Sequence, residues 1–297
     1  MSLNKFSFKY MNLENKKILV TGGAGFVGSN LCKALVLYKN TKVYSLDNYF
    51  TGKVENHTDG VHYIKGESLL INDLINFKPD IIFHLGEYSR VEQSFEDIEM
   101  VWKFNTQGTF AVLEFVRKTR AKLIYAGSST KFGDNGTGSN ASPYAWTKSS
   151  NTQLVKNYGA WFNIDFAITY FYNVYGKNEI SEGKYATLIA LFTRKHKNNQ
   201  ALPVVSPGTQ ERNFTYIDDI VNGLILVGKK GKGDGYGIGS RETYTILEIA
   251  EMFKSNIEMI PERNGNRMTA ELVTKKTEAL GWKPKHNIKE YITQLIS

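Results

Sequence analysis

The chain has few of the features that mark secreted, membrane-bound or metal-holding proteins. Its 297 residues include a single cysteine, Cys32. One cysteine excludes an internal disulfide and a cysteine metal cluster, and it fits a reducing compartment, so we expect a cytoplasmic protein without a bound metal. The sequence shows no apolar run long enough to span a bilayer, no signal peptide, no repeat and no low-complexity segment. These absences favour a globular protein that works away from membranes.

Composition is that of an ordinary folded protein with an excess of basic residues. Apolar residues make up 41% of the chain and charged residues 22%, enough to bury a full core in one large domain or two closely packed ones. The net charge is +8, but the lysines are scattered, and the dense runs at 194–197 and 229–232 are short. We expect solvated basic faces rather than a nucleic-acid site, and a positive field that would attract an anionic substrate.

The stretch from residue 16 to residue 47 predicts a β-α-β unit that binds a dinucleotide. Gly22, Gly25 and Gly28 have the spacing G-x-x-G-x-x-G, between an apolar run and an amphipathic stretch. Such glycines let the backbone turn tightly and approach a pyrophosphate at the positive end of a helix. Asp47 ends the next strand, where a carboxylate accepts hydrogen bonds from adenosine ribose and repels a 2′-phosphate. The pattern favours NAD over NADP; the alternative is a tight turn that binds nothing.

Strands and helices alternate through the first 177 residues. Strands are predicted at 61–65, 80–85, 122–126 and 166–170, with helices at about 69–77, 95–118 and 144–161. This rhythm predicts an α/β fold, a doubly wound parallel (Rossmann) sheet with its active groups at the carboxyl ends of the strands.

Past residue 176 the rhythm breaks, which predicts a smaller C-terminal α/β substrate lobe. Helices are expected at 182–197, 216–227, 245–254 and 274–280, and extended segments at 201–205 and 257–260. Residues 231–239 hold five glycines in nine and are expected to be a loop with a short strand. We predict a cofactor domain over 11–177, to which 211–238 returns, a substrate lobe from 178–210 and 239–297, and a tail over 1–10.

The candidate chemistry lies between Ser128 and Lys148. Tyr144 and Lys148 are four residues apart, so a helix places them on one face. An ammonium near a phenol favours the phenolate, which makes Tyr144 a candidate general acid/base with Ser128 as a second hydrogen-bond partner. The same ammonium could bind a ribose hydroxyl. The alternative is a purely structural pair, since this spacing is common on helices.

A series of short motifs follows in order along the chain. They are TGGAGFVGSN (21–30), LDNYFTGK (46–53), FHLG (83–86), NTQGT (105–109), YAGSSTKFG (125–133), SPYAWTK (142–148), FYNVYG (171–176), RNFTYIDDI (212–220), YGIGS (236–240) and PERNGN (261–266). In this order they resemble the extended short-chain dehydrogenase/reductase family, in its nucleotide-sugar epimerase and dehydratase branch.

The resemblance implies roles for individual residues. Ser128, Tyr144 and Lys148 would be catalytic. Contacts with the cofactor, NAD, are implied for Gly22, Gly25, Phe26, Val27, Gly28, Asp47, Asn48, Lys53, Glu67, Ser68, Leu85, Gly86, Asn105 and Lys148. Contacts with a nucleotide-diphosphate sugar are implied for Ser128, Tyr144, Asn173, Arg212 and Arg263, with surface ion pairing as the alternative for the two arginines.

Two departures from the family pattern bear on the reaction. The dehydratases carry two acids after the fifth strand, whereas Ser128, Ser129 and Thr130 offer no carboxylate, which argues against dehydration and decarboxylation. Glu87 follows Gly86 where the family has a small residue. We expect Glu87 to pair with Arg90; the alternative is that both contact sugar hydroxyls.

These features together predict an NAD-dependent epimerase acting at C4 of a UDP-hexose through a 4-keto intermediate. The alternatives are a dehydrogenase or reductase of the same family, and a cofactor-sensing binding protein without turnover. The resemblance also implies a homodimer, since family members often pair the helices at 95–118 and 144–161 across a two-fold axis. The alternative is a monomer whose large side chains fill the sheet face and the interface with the lobe.

Overall fold

The computed structural model of the chain describes residues 11–265 and 267–297, so the predicted tail over 1–10 lies outside the described residues. The segment before the first strand packs on the body. Leu13 is fully buried, and the Met11 amide donates a hydrogen bond to the carbonyl of Lys229 at 2.9 Å.

A seven-stranded parallel sheet forms the centre of the molecule. Its strands are β1 (Lys17–Thr21), β2 (Lys42–Asp47), β3 (Val61–Lys65), β4 (Ile81–His84), β5 (Lys122–Ser128), β6 (Phe166–Phe171) and, after further elements, β11 (Gly233–Ile238). The order is β11-β6-β5-β4-β1-β2-β3, and every pairing is parallel. The strand order reverses between β1 and β4. In such a sheet the crevice at the reversal, beyond the carboxyl ends of the strands, is where ligands bind.

Helices cover both faces of this sheet, which confirms the predicted doubly wound architecture. They are α1 (Phe26–Leu35), α2 (Ile71–Leu74), α3 (Ile98–Val101), a π-helical segment at Trp102–Gln107, α4 (Gly108–Thr119), α5 (Pro143–Phe162) and, later in the chain, α7 (Ile217–Lys230). One core lies between the sheet and α1 and α7, and a second lies between the sheet and α4 and α5. Apolar strand residues point to both cores, which is why the strands read as continuous apolar runs.

The remaining elements build a separate lobe with its own core. They are β7 (Val174–Tyr175), α6 (Leu188–Lys197), β8 (Leu202–Val205), β9 (Glu211–Asn213), β10 (Thr215–Tyr216), β12 (Thr243–Thr245), α8 (Ile246–Met252), β13 (Ile257–Ile260) and α10 (Ile288–Ile296). A short helix between them, α9 (Lys275–Ala279), packs against β11 of the main sheet instead. Strand β8 pairs with β13, and buried Phe192, Phe253 and Ile292 join α6, α8 and α10.

Several predicted boundaries were wrong. The glycine-rich stretch 231–239, expected to be mainly loop, supplies β11 to the main sheet. The helix expected at 69–77 is confined to Ile71–Leu74, the one expected at 182–197 begins at Leu188, and α10 was not predicted. Among the described helices, none is long and apolar enough to cross a membrane.

Candidate active site

A cavity of about 640 Å³ opens at the carboxyl ends of β1, β4 and β5, where the strand order reverses. The structure brings nearly all of the predicted site residues to its wall. Those lining it are Gly22, Gly25, Phe26, Val27, Gly28, Asp47, Asn48, Glu67, Ser68, Leu85, Gly86, Ser128, Tyr144, Lys148, Asn173, Arg212 and Arg263. Lys53 and Asn105 are the two predicted cofactor residues that do not line it.

The turn between β1 and α1 fits a pyrophosphate group. A Cβ atom at Gly28 would lie 2.0 Å from the carbonyl oxygen of Gly22, so only glycine allows the helix to begin this close to the strand. Helix α1 starts after Gly25 without a side-chain cap, and Gly25, Phe26 and Val27 line the cavity. Uncapped N–H groups at the positive end of the helix face the space where a phosphate would bind.

The turns after β1 and β4 come into backbone contact at the strand-order reversal. A Cβ atom at Gly22 would lie 2.9 Å from the Cα of Gly86, and one at Gly86 would lie 2.9 Å from the amide nitrogen of Gly22. Gly22 also has a positive φ of 74°. The backbones of these two glycines therefore meet directly and form the floor of the cavity.

Asp47 is fixed at the adenosine end of the predicted cofactor site. Its carboxylate accepts hydrogen bonds from the backbone amides of Ala24 at 2.9 Å and Tyr49 at 2.7 Å. Burial raises the pKa of Asp47, and the amides oppose that shift. Lone pairs that the amides do not use can accept hydrogen bonds from ribose hydroxyls. Near this end Glu67 pairs with Lys103 at 2.8 Å.

Ser128 and Tyr144 come together at the end of β5, as the predicted chemistry requires. The Tyr144 hydroxyl donates a hydrogen bond to Ser128 Oγ at 3.1 Å. Thr130 Oγ1 donates to the same oxygen at 2.9 Å, which fixes the serine rotamer. Helix α5 brings Tyr144 here because Ser142 caps it and Pro143 occupies its first turn.

The expected pairing of Glu87 with Arg90 is wrong. Glu87 instead forms a buried ion pair with Lys148, whose ammonium also donates to the carbonyl of Ala126. Arg90 turns the other way and donates through Nε and Nη2 to the carbonyl of Tyr185 at 2.8 and 2.7 Å. The physical reason is burial, since a lysine enclosed at the base of α5 needs a counter-ion there.

Glu87 is held by neutral donors as well as by the lysine. Its Oε1 accepts hydrogen bonds from Thr109 Oγ1 at 2.7 Å, Asn151 Nδ2 at 2.9 Å and the Tyr125 hydroxyl at 3.2 Å. Burial and the Glu87 charge raise the pKa of Tyr125 well above its ordinary value, so that hydroxyl stays a donor. Among the described residues, no hydrogen bond joins Lys148 to Tyr144, and the ammonium is paired with Glu87 instead.

The two predicted cofactor residues outside the cavity have other surroundings. Asn105 is fully buried behind the wall, where its side chain accepts from the Tyr88 amide at 2.6 Å and donates to Thr147 Oγ1 at 3.0 Å. Through the hydrogen bond to Tyr88, Asn105 holds the backbone of the segment that follows β4. Lys53 is exposed, and its amide donates to the carbonyl of Ala24 at 3.1 Å.

The predicted substrate residues lie at the opposite end of the cavity, against the lobe. Asn173 donates to the carbonyl of Asn213 at 3.1 Å. Arg263 pairs with Glu92 from the segment after β4 and so links the lobe to the sheet domain. Arg212 is buried, which lowers its pKa to about 10, and it donates to the carbonyl of Arg267 at 2.7 Å.

Sequence reasoning missed several titratable residues of the wall, among them Glu179 and Arg267. Burial raises the pKa of Glu179 to about 7, although its carboxylate accepts from the Gly176 amide at 2.8 Å. Arg267 lies four residues after Arg263 and directly after the last motif, PERNGN (261–266). The available signal was that repeat of arginine, and only the folded arrangement shows that the second one faces the site.

Comparison with known proteins gives the family. The model of the NAD dependent epimerase/dehydratase family matches residues 18–239. A putative UDP-glucose 4-epimerase of Methanocaldococcus jannaschii is 29% identical over 94% of this chain and 97% of its own length. UDP-glucuronic acid decarboxylase 3 of Arabidopsis thaliana is 28% identical over 93% of this chain and 86% of its own. The solved structure of a UDP-glucose 4-epimerase from Thermotoga maritima with UDP-glucose has a TM-score of 0.88 at 25% identity, covering 94% of this chain and 97% of that one.

The comparisons and the geometry agree on the cofactor. The matched family is NAD-dependent, and the glycine turn, the uncapped start of α1 and Asp47 line one end of the cavity in the order that a dinucleotide needs. The chain therefore belongs to the NAD-dependent epimerase/dehydratase family.

Proposed function

We propose that this protein is a sugar-nucleotide 4-epimerase that acts on a UDP-hexose. The observation that carries the proposal is the hydrogen-bonded pair Ser128–Tyr144 at the cavity wall, on a segment that lacks the acids a dehydratase uses. The nearby carboxylate of Glu87 is tied to Lys148 and three neutral donors, so it does not replace those acids.

The chain's own residues supply positioning and proton transfer. Tyr144 takes the proton of the C4 hydroxyl, and Ser128, which accepts the tyrosine hydroxyl at 3.1 Å, keeps the phenol aimed at the sugar. NAD supplies the redox chemistry, since it accepts and returns the hydride. Inversion at C4 would require the 4-keto sugar to present its other face to the cofactor, and Tyr144 would then return the proton to the C4 oxygen.

We assign residues 11–177 and 211–238 to the cofactor domain, and 178–210 and 239–297 to the lobe that binds the sugar nucleotide. Support comes from the separate core of the lobe and from the position of Arg212 and Arg263 at its border with the cavity. The buried Cys32, whose pKa burial raises to about 12, fits a cytoplasmic enzyme, the location that we propose.

Product analysis tests the reaction type. The NAD-loaded protein is incubated with UDP-glucose and other candidate UDP-hexoses, and products are followed by NMR together with the absorbance of reduced cofactor. The 4-epimer without accumulation of reduced cofactor is the expected result. Stoichiometric reduced cofactor would identify a dehydrogenase, release of carbon dioxide from a uronate would identify a decarboxylase, and a 6-deoxy-4-keto product a dehydratase.

Replacing Asp47 with alanine should weaken NAD binding about tenfold or more and relax the discrimination against NADP. The physical reason is the loss of a charged acceptor for ribose hydroxyls and of its repulsion of a 2′-phosphate. Dissociation constants for NAD and NADP are measured by titration of cofactor-free protein. Asp59→Ala, an exposed residue with the same change of charge, is the control. An unchanged ratio of the two constants would contradict the role of Asp47.

We further propose a homodimer. Large apolar side chains are exposed along the two helical stretches that would pair. They are Ile98, Trp102, Phe110, Trp146 and Trp161, each at least 45% exposed. The rings of Trp102 and Trp146 stack with centroids 6.0 Å apart, so the two stretches present one continuous apolar surface. Two copies of this surface can bury each other in an isologous contact.

Light scattering at micromolar concentration should give about twice the chain mass at both low and high salt, because apolar burial is not screened as exposed ion pairs are. Phe110→Glu should shift the mass towards that of one chain. Leu37→Glu changes an apolar residue that is 83% exposed on another surface and should leave the mass unchanged. A single-chain mass for the unmodified protein at both salt concentrations would rule out the dimer.

A further inference from the structure

Two partly buried arginines, Arg90 and Arg267, line the cavity near Tyr144 without a carboxylate partner. Within the described part of the chain, neither Arg90 nor Arg267 forms an ion pair with an acid. Arg90 donates to the carbonyl of Tyr185 and, through Nη1, to Ser89 at 3.0 and 3.1 Å. Burial lowers the pKa of both arginines, and both lie within electrostatic range of the Tyr144 hydroxyl.

Not all N–H donors of Arg267 have a hydrogen-bond acceptor within the described residues. Its Nη2 donates to Ser129 Oγ at 3.2 Å, next to the catalytic Ser128. Its Nη1 is buried and has no hydrogen-bond partner among the described residues. A buried donor without a partner is costly, and in a cavity wall it indicates a ligand that supplies the acceptor.

Hydrogen bonds hold the backbone around Arg267 in place before any ligand binds. Arg212 Nη2 donates to the carbonyl of Arg267 at 2.7 Å. Asp134 Oδ1 accepts from the amides of Met268 and Thr269, both at 3.0 Å. A cation held in this way loses little freedom when it binds an anion.

The charges on the wall leave this end of the cavity positive. Three wall carboxylates are each paired with a cation: Glu67 with Lys103, Glu87 with Lys148 and Glu92 with Arg263. Glu179 lies within electrostatic range of Arg90, but burial raises its pKa to about 7, so near neutral pH it is at most a partial counter-ion. Asp134 lies within electrostatic range of Arg267, but its Oδ1 accepts from the amides of Met268 and Thr269 and forms no ion pair with the guanidinium in the described part of the chain. The guanidinium of Arg267 is therefore available to a ligand.

We propose that the sugar ring of the substrate carries a carboxylate and that Arg267 binds it, with Arg90 as the second cation of this end of the cavity. The inference rests on the proposed function and names its substrate class, a nucleoside-diphosphate hexuronate. A planar guanidinium matches the two oxygens of a carboxylate, and Ser129 places this one beside the residues that act on the sugar.

The test compares UDP-glucuronate, UDP-glucose and UDP as ligands of the NAD-loaded protein by titration calorimetry. The two sugar nucleotides share a diphosphate and differ at C6, and epimerisation at C4 leaves the carboxylate in place. We expect UDP-glucuronate to bind at least about tenfold more tightly than UDP-glucose, the scale of hydrogen bonds to a charged group. Equal affinities would overturn the proposal.

Substitutions of single arginines test whether Arg267 causes the preference for UDP-glucuronate. Arg267→Gln should remove most of the preference for UDP-glucuronate and change the affinity for UDP by less than about twofold, with Arg267→Lys intermediate. Arg241→Gln, which removes an exposed arginine paired with Glu278, should keep the full preference. If Arg267→Gln weakens UDP and both sugar nucleotides alike, Arg267 is a diphosphate ligand and the proposal fails. Binding does not require turnover, so absence of any isomer would contradict the proposed function and leave the binding preference to be judged separately.

Discussion

Tyr144→Phe is expected to lower kcat by at least about 10²-fold while NAD and sugar nucleotide remain bound. The substitution keeps the aromatic ring and removes the hydroxyl that donates to Ser128 Oγ at 3.1 Å. Loss of a general acid/base usually costs on this scale, because the proton must then be exchanged with a weaker and less well placed acceptor. Initial rates of isomer formation give kcat, and calorimetry gives the affinity for each ligand.

Tyr38→Phe is the matched control for that experiment. It removes a phenol hydroxyl from a partly buried residue just after α1, outside the cavity wall. We expect its rate to equal that of the unmodified enzyme. Near-normal turnover by Tyr144→Phe would exclude Tyr144 as the base and leave Ser128 as the hydroxyl to be tested next.

Glu87→Ala should destabilise the folded protein by about 3–5 kcal/mol, because it leaves the ammonium of Lys148 enclosed without its counter-ion. The side chains of Lys148 and Glu87 are only 6% and 2% exposed, so water cannot take over the role of the carboxylate. Three neutral donors, on Thr109, Tyr125 and Asn151, would lose their acceptor as well. Urea unfolding of cofactor-free protein at neutral pH measures the free energy of unfolding.

The control for Glu87→Ala is a surface ion pair of the same chemistry. Glu278→Ala removes the partner of Arg241, whose side chain is 74% exposed, and should cost roughly 1 kcal/mol or less. Lys148→Met combined with Glu87→Ala should recover part of the loss, since a buried pair replaced by apolar groups leaves no charge behind. Similar losses for Glu87→Ala and Glu278→Ala would show that Glu87 is not the counter-ion on which Lys148 depends.

Features encoded by local rules were predictable from the sequence. The parallel sheet follows from apolar runs that alternate with helices. The turn before α1 follows from Gly22 and Gly28, where a Cβ atom would collide with the backbone. Tyr144 meets Ser128 because a capped helix begins shortly after β5 ends. In each case the neighbours that matter are close in sequence or are set by the general geometry of a doubly wound fold.

Features that depend on tertiary contacts were not predictable. The glycines of β11 read as loop because they lower strand propensity, yet pairing with β6 overrides that preference. Glu87 was expected to reach a neighbour in the sequence, but its partner Lys148 lies 61 residues away. Arg267 reads as a surface residue until Arg212 and Asp134 fix its backbone beside the cavity.

The contact between Gly22 and Gly86 limits how this site can vary during evolution. Each glycine occupies the space that a side chain at the other would need, so a change at one cannot be compensated by a smaller residue at the other. The first position beyond this contact that can accept a new side chain is residue 87. Glu87 occupies that position, and its carboxylate reaches Lys148 beside the two glycines. A substitution that alters the charge at this edge of the cavity is therefore sterically possible at residue 87 but not at either glycine.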